Sequence, residues 1–287
     1  MMNLYEQYKG LLFRLAYQLT GTAADAEDAV HDVFVKVQTI DPQRLTEPKA
    51  YLCKMVTNRC LDQLQSARMK REQYIGPWLP EPVMTAAEDG YETVEQRDLL
   101  SYAMLVLLER LSPDERAVFV LKEALGFDYA AIAELIDKSE ANCRKLMSRA
   151  RGKMGIAEEE LIGSAAVEEQ WANRFLAALS NGEVGTVLSM LADDAVLLTD
   201  GGGKVFAAIN PIVSGEKVAK FLFGIMSKEA GKEGGFAIEM LPMNGQTGMA
   251  IVQQGIVTNV VFADVRDGML QSIYIVRNPD KLARIHA

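Results

Sequence analysis

The chain has 287 residues, of which 49% are hydrophobic and 24% are charged, and its formal net charge is −9. This length suits two or three compact domains, and the composition excludes a disordered or fibrous protein. No run approaches the roughly 18–20 consecutive apolar residues of a membrane span, and the N-terminus has no signal-peptide pattern, so we expect a cytoplasmic protein without membrane contact.

The distribution of charge favours contacts with phosphate, and the cysteines show no pattern of a metal site. Residues 49–71 hold six Lys or Arg and one Asp, and residues 139–153 hold five Lys or Arg and one Glu. Two basic segments in an acidic chain are typical of local contacts with phosphate. Cys53, Cys60 and Cys143 form no CxxC pair and have no histidine at metal-ligand spacing. They are predicted to be reduced core thiols, and neither a metal nor a cofactor is expected.

Three helices are predicted at the N-terminal end. Apolar residues at helical spacing predict one over 4–19. Thr22 followed by Asp25 resembles a capping box and predicts a second helix over about 23–38. The third helix, over 49–71, has an apolar edge formed by Leu52, Val56, Cys60 and Leu64.

Polar residues on the second and third helices leave two interpretations open. On the third helix, the side away from the apolar edge carries Lys54, Asn58, Arg59 and Gln65. That side fits either a solvated amphipathic face or a surface for single-stranded or phosphate-rich DNA. On the second helix, the acidic residues fit either capping and solvation or docking of a basic partner; the candidates are Asp25, Asp28 and Asp32.

A proline-containing linker follows. Residues 76–90 cannot hold a regular helix, because three prolines lack the amide proton and restrict the residues before them. A helix is predicted to resume over 92–110.

The next segment has the spacing of a helix-turn-helix. Ser112, with Pro113 and Glu115, predicts a helix that ends at Gly126. Asp128 and Ser139 are expected to cap the two helices that follow, through Ile136 and about Met154 respectively. In the last helix, four side chains lie opposite its apolar residues and suit the reading of base edges: Arg144, Lys145, Ser148 and Arg149. A solvated basic face on a helical bundle is the alternative.

The pattern changes beyond Gly163. Two amphipathic helices over 165–180 and 184–192 are followed mostly by strand-like runs, separated by glycines. The predicted strands lie at 195–209, 236–241, 248–264 and 269–276. A separate α+β domain is therefore predicted.

Four stretches of residues 4–155 resemble, in the right order, those of the extracytoplasmic-function sigma factors: Asp25-Ala-Glu-Asp-Ala-Val-His-Asp-Val-Phe34, Asn58-Arg-Cys-Leu-Asp62, Leu111-Ser-Pro-Asp-Glu-Arg116 and Ser148-Arg-Ala-Arg151. Three further motifs resemble those of one subgroup, which carries a SnoaL-like C-terminal domain: Trp78-Leu-Pro-Glu-Pro82, Asp200-Gly-Gly-Gly-Lys204 and Asn278-Pro-Asp-Lys-Leu282. The resemblance implies a multidomain protein with two all-α sigma modules, the second a helix-turn-helix, followed by an α+β SnoaL-like cone domain.

The resemblance also implies roles and partners. Residues 1–72 form sigma region 2, 73–97 a linker, 98–156 sigma region 4 and 160–287 the regulatory domain. By this resemblance, Asp25, Asp28 and Asp32 are expected to bind RNA polymerase core enzyme. Promoter DNA is expected to be read at the −10 element by Lys54, Asn58, Arg59 and Gln65, and at the −35 element by Arg144, Lys145, Ser148 and Arg149. The subgroup motifs supply interdomain regulatory contacts in place of a separate anti-sigma protein: Trp78, Leu79, Pro80, Glu81, Pro82, Asp200, Gly201, Gly202, Gly203, Lys204, Asn278, Pro279, Asp280, Lys281 and Leu282.

The alternative is a helix-turn-helix regulator fused to a small-molecule-binding or enzymatic SnoaL-like domain. SnoaL-like enzymes use a His or Asp as acid or base, but His286, near the chain end, is the one histidine after residue 31. No catalytic residue is therefore assigned. An unidentified apolar ligand of the C-terminal domain is left open.

Overall fold

The computed structural model describes residues 2–40, 47–85, 100–155, 169–230 and 235–286. Its residues group into two compact units that do not follow the order of the chain. Unit 1 comprises Met1–Gln73 and Ala87–Ile162, and unit 2 comprises Tyr74–Ala86 and Gly163–Ala287. The segment that follows the third helix therefore belongs to the same unit as the C-terminal half.

Unit 1 is helical in the residues described. Its helices are α1 (Met2–Thr20), α2 (Ala23–Val37), α3 (Pro48–Glu72), α4 (Tyr102–Leu108), α5 (Pro113–Glu123), α6 (Tyr129–Leu135) and α7 (Glu140–Met154). The side chains of Asp128 and Ser139 accept the backbone N–H three residues on, which fixes where α6 and α7 begin. Ser112 and Glu115 form the complete capping box at the start of α5.

Two details of unit 1 differ from the predictions. Thr22 caps α2 by accepting the Asp25 N–H at 3.2 Å, but the Asp25 carboxylate accepts from the Thr22 hydroxyl at 2.7 Å and not from the Thr22 backbone N–H, so the capping box is incomplete. The predicted helix over 92–110 is not helical at residues 100 and 101, because Ser101 caps a helix that begins at Tyr102. Residues 92–99 lie outside the described residues.

The core of unit 1 is built from the predicted apolar faces. Leu52, Val56 and Cys60 are fully buried on α3, which packs against α1 and α2. All three cysteines are buried and free, as predicted. Burial raises the pKa of Cys53 to about 11 and that of Cys60 to about 12.

Unit 2 is an α+β domain, as predicted. Its elements are α8 (Glu169–Ser180), α9 (Val184–Ser189), β1 (Leu191–Asp200), β2 (Ile212–Val213), α10 (Gly215–Ala230), β3 (Ala237–Met243), β4 (Gln246–Gln253), β5 (Ile256–Arg266), β6 (Met269–Val276) and α11 (Pro279–Leu282). One six-stranded sheet has the order β2-β1-β6-β5-β4-β3. Strands β1 and β6 are parallel, and the other pairs are antiparallel.

Two predictions for this domain were wrong, and one helix was missed. The strand over 195–209 ends at Asp200, because the three glycines after it turn the chain. The run over 248–264 is two strands joined by Gln254 and Gly255, both at positive φ, which is the geometry of a two-residue hairpin turn. Helix α10 was not predicted.

Among the described residues, no helix has the length and apolar character needed to cross a membrane.

Candidate functional site

The last helix of the helix-turn-helix presents the predicted basic face. Arg144, Lys145, Ser148 and Arg149 are all exposed on α7. The opposite face is buried and is formed by Cys143, Leu146, Met147, Ala150 and Met154. Arg144 is held by an ion pair with Glu140 and lies 4.5 Å from the ring centroid of Tyr129. One face of α7 thus joins the core and the other offers donors to an anionic partner.

The predicted polar side of α3 is not free in this structure. Lys54 Nζ donates to Asp137 Oδ1 at 2.6 Å and to the Glu134 carbonyl oxygen at 2.8 Å. Asp137 lies in the turn between α6 and α7, at a φ of +52°. A residue predicted to contact the −10 element is therefore bound to the helix-turn-helix.

The structure also pairs two residues with different predicted roles. Arg59 Nε donates to Asp32 Oδ2 at 2.7 Å, which links α3 to α2. Asp25 is engaged in the cap of α2, whereas Asp28 is exposed. Asn58 is half-buried, and the side chain of Gln65 lies outside the described residues.

Buried polar groups join the first helix to the helix-turn-helix. Arg116, only 2% exposed, donates from Nε to the Gln18 carbonyl oxygen at 3.1 Å and from Nη1 to Glu109 at 2.5 Å. The Gln18 side chain accepts the Leu100 N–H at 3.2 Å. Polar groups buried this deeply lose their partners only at a cost, so these bonds favour the packed arrangement of the helical modules.

In unit 2, the linker motif, Trp78–Pro82, is bound by the other two subgroup motifs. Lys281 Nζ donates to the Leu79 carbonyl oxygen at 2.5 Å and to Asp200 Oδ2 at 2.7 Å. The same carboxylate accepts the Leu79 N–H at 2.9 Å. Asp200 and Leu79 are fully buried and Lys281 is 7% exposed. We refer to these contacts, with those of Tyr74 and Trp78 below, as the linker clasp.

Two aromatic side chains complete the linker clasp. Lys281 Nζ lies 3.9 Å from the ring centroid of Trp78 and 5.2 Å from that of Tyr74. The Tyr74 hydroxyl donates to Asp200 Oδ1 at 2.6 Å and accepts from Asn278 Nδ2 at 2.9 Å. Burial, with the hydrogen bond to Asp200, raises the pKa of Tyr74. The ammonium group thus lies among a carboxylate, a carbonyl and two rings.

The glycine triplet makes room for its neighbours. A Cβ on Gly202 would come within 2.4 Å of Asn278 Nδ2, and one on Gly203 within 2.8 Å of Ile75 Cδ1. Both glycines also have positive φ, which side chains disfavour. A Cβ on Gly201 would lie only 2.4 Å from the Val205 carbonyl oxygen. The small residues therefore allow the second motif to approach the third motif and the linker.

A second attachment lies further along the linker. The Val83 N–H donates to Asn244 Oδ1, and the Asn244 N–H donates to the Val83 carbonyl oxygen at 2.9 Å. The Thr85 N–H donates to the Pro242 carbonyl oxygen at 2.9 Å, and its hydroxyl accepts from Gly245. The linker thus pairs by backbone hydrogen bonds with the end of the β3–β4 hairpin.

The remaining residues of the three motifs have different surroundings. Pro80, Glu81, Pro82 and Leu282 are buried, and Pro279 is exposed at the start of α11. Lys204 and Asp280 form an exposed ion pair of 2.5 Å.

Sequence reasoning missed several partners. The sequence offered a local indication for Tyr74, an aromatic residue two positions before the Gly-Pro that precedes the linker motif. Gln18 also had one, as a polar residue within an apolar helix. Asp137 and Asn244 had none beyond their place in turns.

Comparison with known proteins covers nearly the whole chain. Residues 4–69 match the family model of Sigma-70 region 2, and residues 101–154 match that of Sigma-70 region 4. The chain is 34% identical to the ECF RNA polymerase sigma factor SigJ of Mycobacterium tuberculosis, over 96% of this chain and 91% of the relative. It is 27% identical to a probable ECF RNA polymerase sigma factor, SigI, of the same species, over 99% of this chain and 95% of the relative.

A solved structure agrees with these matches. The crystal structure of the Mycobacterium tuberculosis extracytoplasmic function sigma factor SigJ superposes with a TM-score of 0.78 at 29% identity, and covers 99% of each chain. The similarity therefore includes the C-terminal α+β domain as well as the two helical regions.

Proposed function

The chain belongs to the extracytoplasmic-function RNA polymerase sigma factors, and from that premise we propose that its own SnoaL-like domain controls promoter use by holding the linker between regions 2 and 4. The observation that carries this proposal is the buried Lys281 ammonium, which binds Leu79 and Asp200 beneath Trp78. A helix-turn-helix regulator fused to a small-molecule-binding or enzymatic SnoaL-like domain is not favoured, because region 2 as well as region 4 is matched.

We assign the DNA and polymerase contacts by region. Region 2 (residues 1–72) binds RNA polymerase core enzyme through Asp25, Asp28 and Asp32 and reads the −10 element through Lys54, Asn58, Arg59 and Gln65. Region 4 (98–156) reads the −35 element through the exposed face of α7: Arg144, Lys145, Ser148 and Arg149. The exposure of all four residues supports the second assignment.

The packed state of the helical modules is a resting state in this proposal. Lys54 is bound to Asp137, and Arg59 to Asp32, so neither side chain is available to DNA without a change of partner. Both pairs are partly exposed, and such pairs contribute only about 0–1 kcal/mol. They are therefore weak enough to be exchanged for phosphate or polymerase contacts.

The linker clasp limits how far regions 2 and 4 can separate. Residues 74–85, if extended, would span about 40 Å at roughly 3.3 Å per residue. While Leu79 and Val83 are bonded to the C-terminal domain, that length is not available to the regions on either side. Release of the linker shifts the population towards separated, promoter-competent modules.

In vitro transcription with RNA polymerase core enzyme tests the proposal, on promoters selected by genomic binding. We compare the full chain, its Trp78→Ala and Lys281→Met variants, and residues 1–163. If the linker clasp restrains the protein, both variants change promoter-dependent transcription in the same direction as the truncation. Lys220→Met, which changes an exposed lysine of α10 outside the three subgroup motifs, is the matched control and leaves activity unchanged.

Two results would count against it. If no form of the protein directs initiation, the polymerase and promoter contacts proposed for regions 2 and 4 are wrong. If all forms initiate but Trp78→Ala and Lys281→Met match the unmodified chain, the linker clasp has no regulatory role.

A further inference from the structure

Unit 2 contains a cavity that the linker clasp does not use. Its volume is about 110 Å³, and it lies between α8, α10 and the face of strands β3 to β6. Of the described residues that line it, none is ionisable, and only Thr247 and Asn259 carry a hydrophilic side chain. The indole N–H of Trp171, another lining residue, is already donated to the Gly268 carbonyl oxygen at 2.9 Å. The cavity is therefore almost wholly apolar.

The size and lining restrict what can occupy this space. An apolar cavity of about 150 Å³ stays free of water and binds benzene, so a slightly smaller one suits a hydrocarbon of similar size. A charged ligand is excluded, because its charge would be buried without a partner. Met226, Met240 and Met249 line the cavity, and their flexible side chains can adjust to ligands of somewhat different shape.

The polar end of the cavity is connected to the linker clasp. Asn259 Oδ1 accepts a hydrogen bond from Arg277 Nε at 2.8 Å. Arg277 Nη1 donates to the Phe206 carbonyl oxygen at 2.6 Å, in the loop after the glycine triplet. The Arg277 N–H donates to the Asp200 carbonyl oxygen at 2.7 Å. Arg277 therefore contacts a cavity residue, the glycine loop and the backbone of the residue that holds Lys281.

We propose that the cavity binds a small, neutral, largely hydrocarbon molecule with one hydrogen-bond donor, and that Asn259 couples its occupancy to the linker clasp. The donor group competes with Arg277 for Asn259 Oδ1. Loss of that bond frees the Arg277 side chain from its place between the cavity and the Phe206 loop, and this weakens the hold of Asp200 on Leu79. The coupling rests on the proposed function, whereas the binding does not.

Binding is tested on the full chain with ¹³C-methyl methionine and three probes of similar size: toluene, benzyl alcohol and benzoate. We expect saturable shifts of the Met226, Met240 and Met249 methyl signals with toluene and benzyl alcohol, and none with benzoate. Equal shifts with benzoate, or no shifts with either neutral probe, would overturn the binding site. This comparison needs no variant, so it does not depend on a substitution being tolerated.

A variant pair locates the binding. Ala263→Leu places a larger side chain into the cavity, and we expect it to weaken toluene binding by roughly tenfold, about 1.4 kcal/mol. Ala237→Leu makes the same change at an exposed β3 position that does not line the cavity, and binding is retained. If both variants bind toluene like the unmodified chain, the site is not this cavity.

The coupling is read from hydrogen exchange of the Leu79 amide, which donates to Asp200. Benzyl alcohol should speed this exchange by roughly fivefold, the effect of losing one hydrogen bond, whereas toluene should not. Asn259→Leu should abolish the difference between the two probes. Equal effects of the two probes on the unmodified chain would overturn the coupling, and this readout is independent of transcription.

Discussion

The ammonium group of Lys281 is buried in unit 2 and is paired with the carboxylate of Asp200. Removing one partner of a buried ion pair is costly, typically about 3–5 kcal/mol, because the other charge is left without compensation. We therefore expect Lys281→Met to destabilise the domain by that order, since Asp200 is fully buried. Exchange of the Leu79 amide should become faster in this variant.

The control for this substitution lies in the same part of the fold. Lys204→Met also removes a lysine from an ion pair, but both partners are more than half exposed. Surface pairs contribute about 0–1 kcal/mol, so its unfolding free energy should be nearly unchanged. Similar losses in the two variants, measured by urea unfolding, would contradict the importance of burial at Lys281.

Glu115 makes the stability of the helix-turn-helix depend on pH. Burial alone would raise its pKa, but hydrogen bonds from Lys153 and Ser112 outweigh this effect and lower the pKa below 4.5. The unfolded chain then binds the proton more readily. The stabilisation is fully present above pH 4.5 and is lost as the pH falls through the folded-state pKa.

Urea unfolding at neutral pH and at about pH 3 measures this contribution. The unmodified chain should lose more unfolding free energy between the two conditions than Glu115→Gln, in which the carboxylate is absent. An identical pH dependence in both proteins would show that Glu115 does not contribute.

The contact of α3 with the α6–α7 turn should restrain transcription. Asp137→Asn removes the charge that binds Lys54, while Asn tolerates the positive φ of this position. We expect basal promoter-dependent transcription to rise by roughly two- to fivefold, with a stability change below about 1 kcal/mol.

Asp114→Asn is the matched control for that variant. It removes the Asp114–Lys138 pair, which lies wholly within the helix-turn-helix and does not involve α3. Transcription should stay at the level of the unmodified chain. Equal effects of the two substitutions would indicate a general response to lost charge rather than release of Lys54.

The same elements show how far the sequence predicts the fold. Caps at Ser112, Asp128 and Ser139 were predictable because each acts on a backbone group three residues away. The partner of Lys54 was not predictable, because it lies 83 residues along the chain and no periodicity encodes such a distance. The β4–β5 hairpin was missed since both strands are apolar and the turn contains Gln254 in place of Asn or Asp.

The candidate site follows the same division. The exposed face of α7 follows from helical spacing alone. The three subgroup motifs could be found by resemblance, but their geometry could not. Lys281 binds the backbone of Leu79, and Gly202 leaves room for the side chain of Asn278. Both contacts join segments that are distant in sequence and are brought together by the sheet.

Unit 2 is discontinuous in sequence, since it includes the linker. Residues 163–287 alone therefore lack the groups that cover Asp200 and Lys281. We expect a synthetic peptide of residues 74–85 to bind this fragment and raise its melting temperature. Peptides with Leu79→Asp or Trp78→Ala should do so less, because they lose the buried side chain or the ring over Lys281.

Calorimetry of the fragment with each peptide measures both quantities. A peptide with the same composition in scrambled order controls for nonspecific apolar contact. If the scrambled peptide stabilises the fragment as well as the natural one, the linker is not specifically recognised.

The bond between Leu79 and Lys281 joins residues 202 positions apart. On a translating ribosome, which adds about 5–20 residues per second, Leu79 is made about 10–40 s before its partner. Regions 2 and 4 are complete well before that moment, so each newly made molecule passes through an interval in which Lys281 does not yet hold the linker. A slowly translated copy would spend longer in that interval. If the linker clasp restrains the protein as proposed, the rate of synthesis therefore helps to set how many unrestrained sigma factors the polymerase meets.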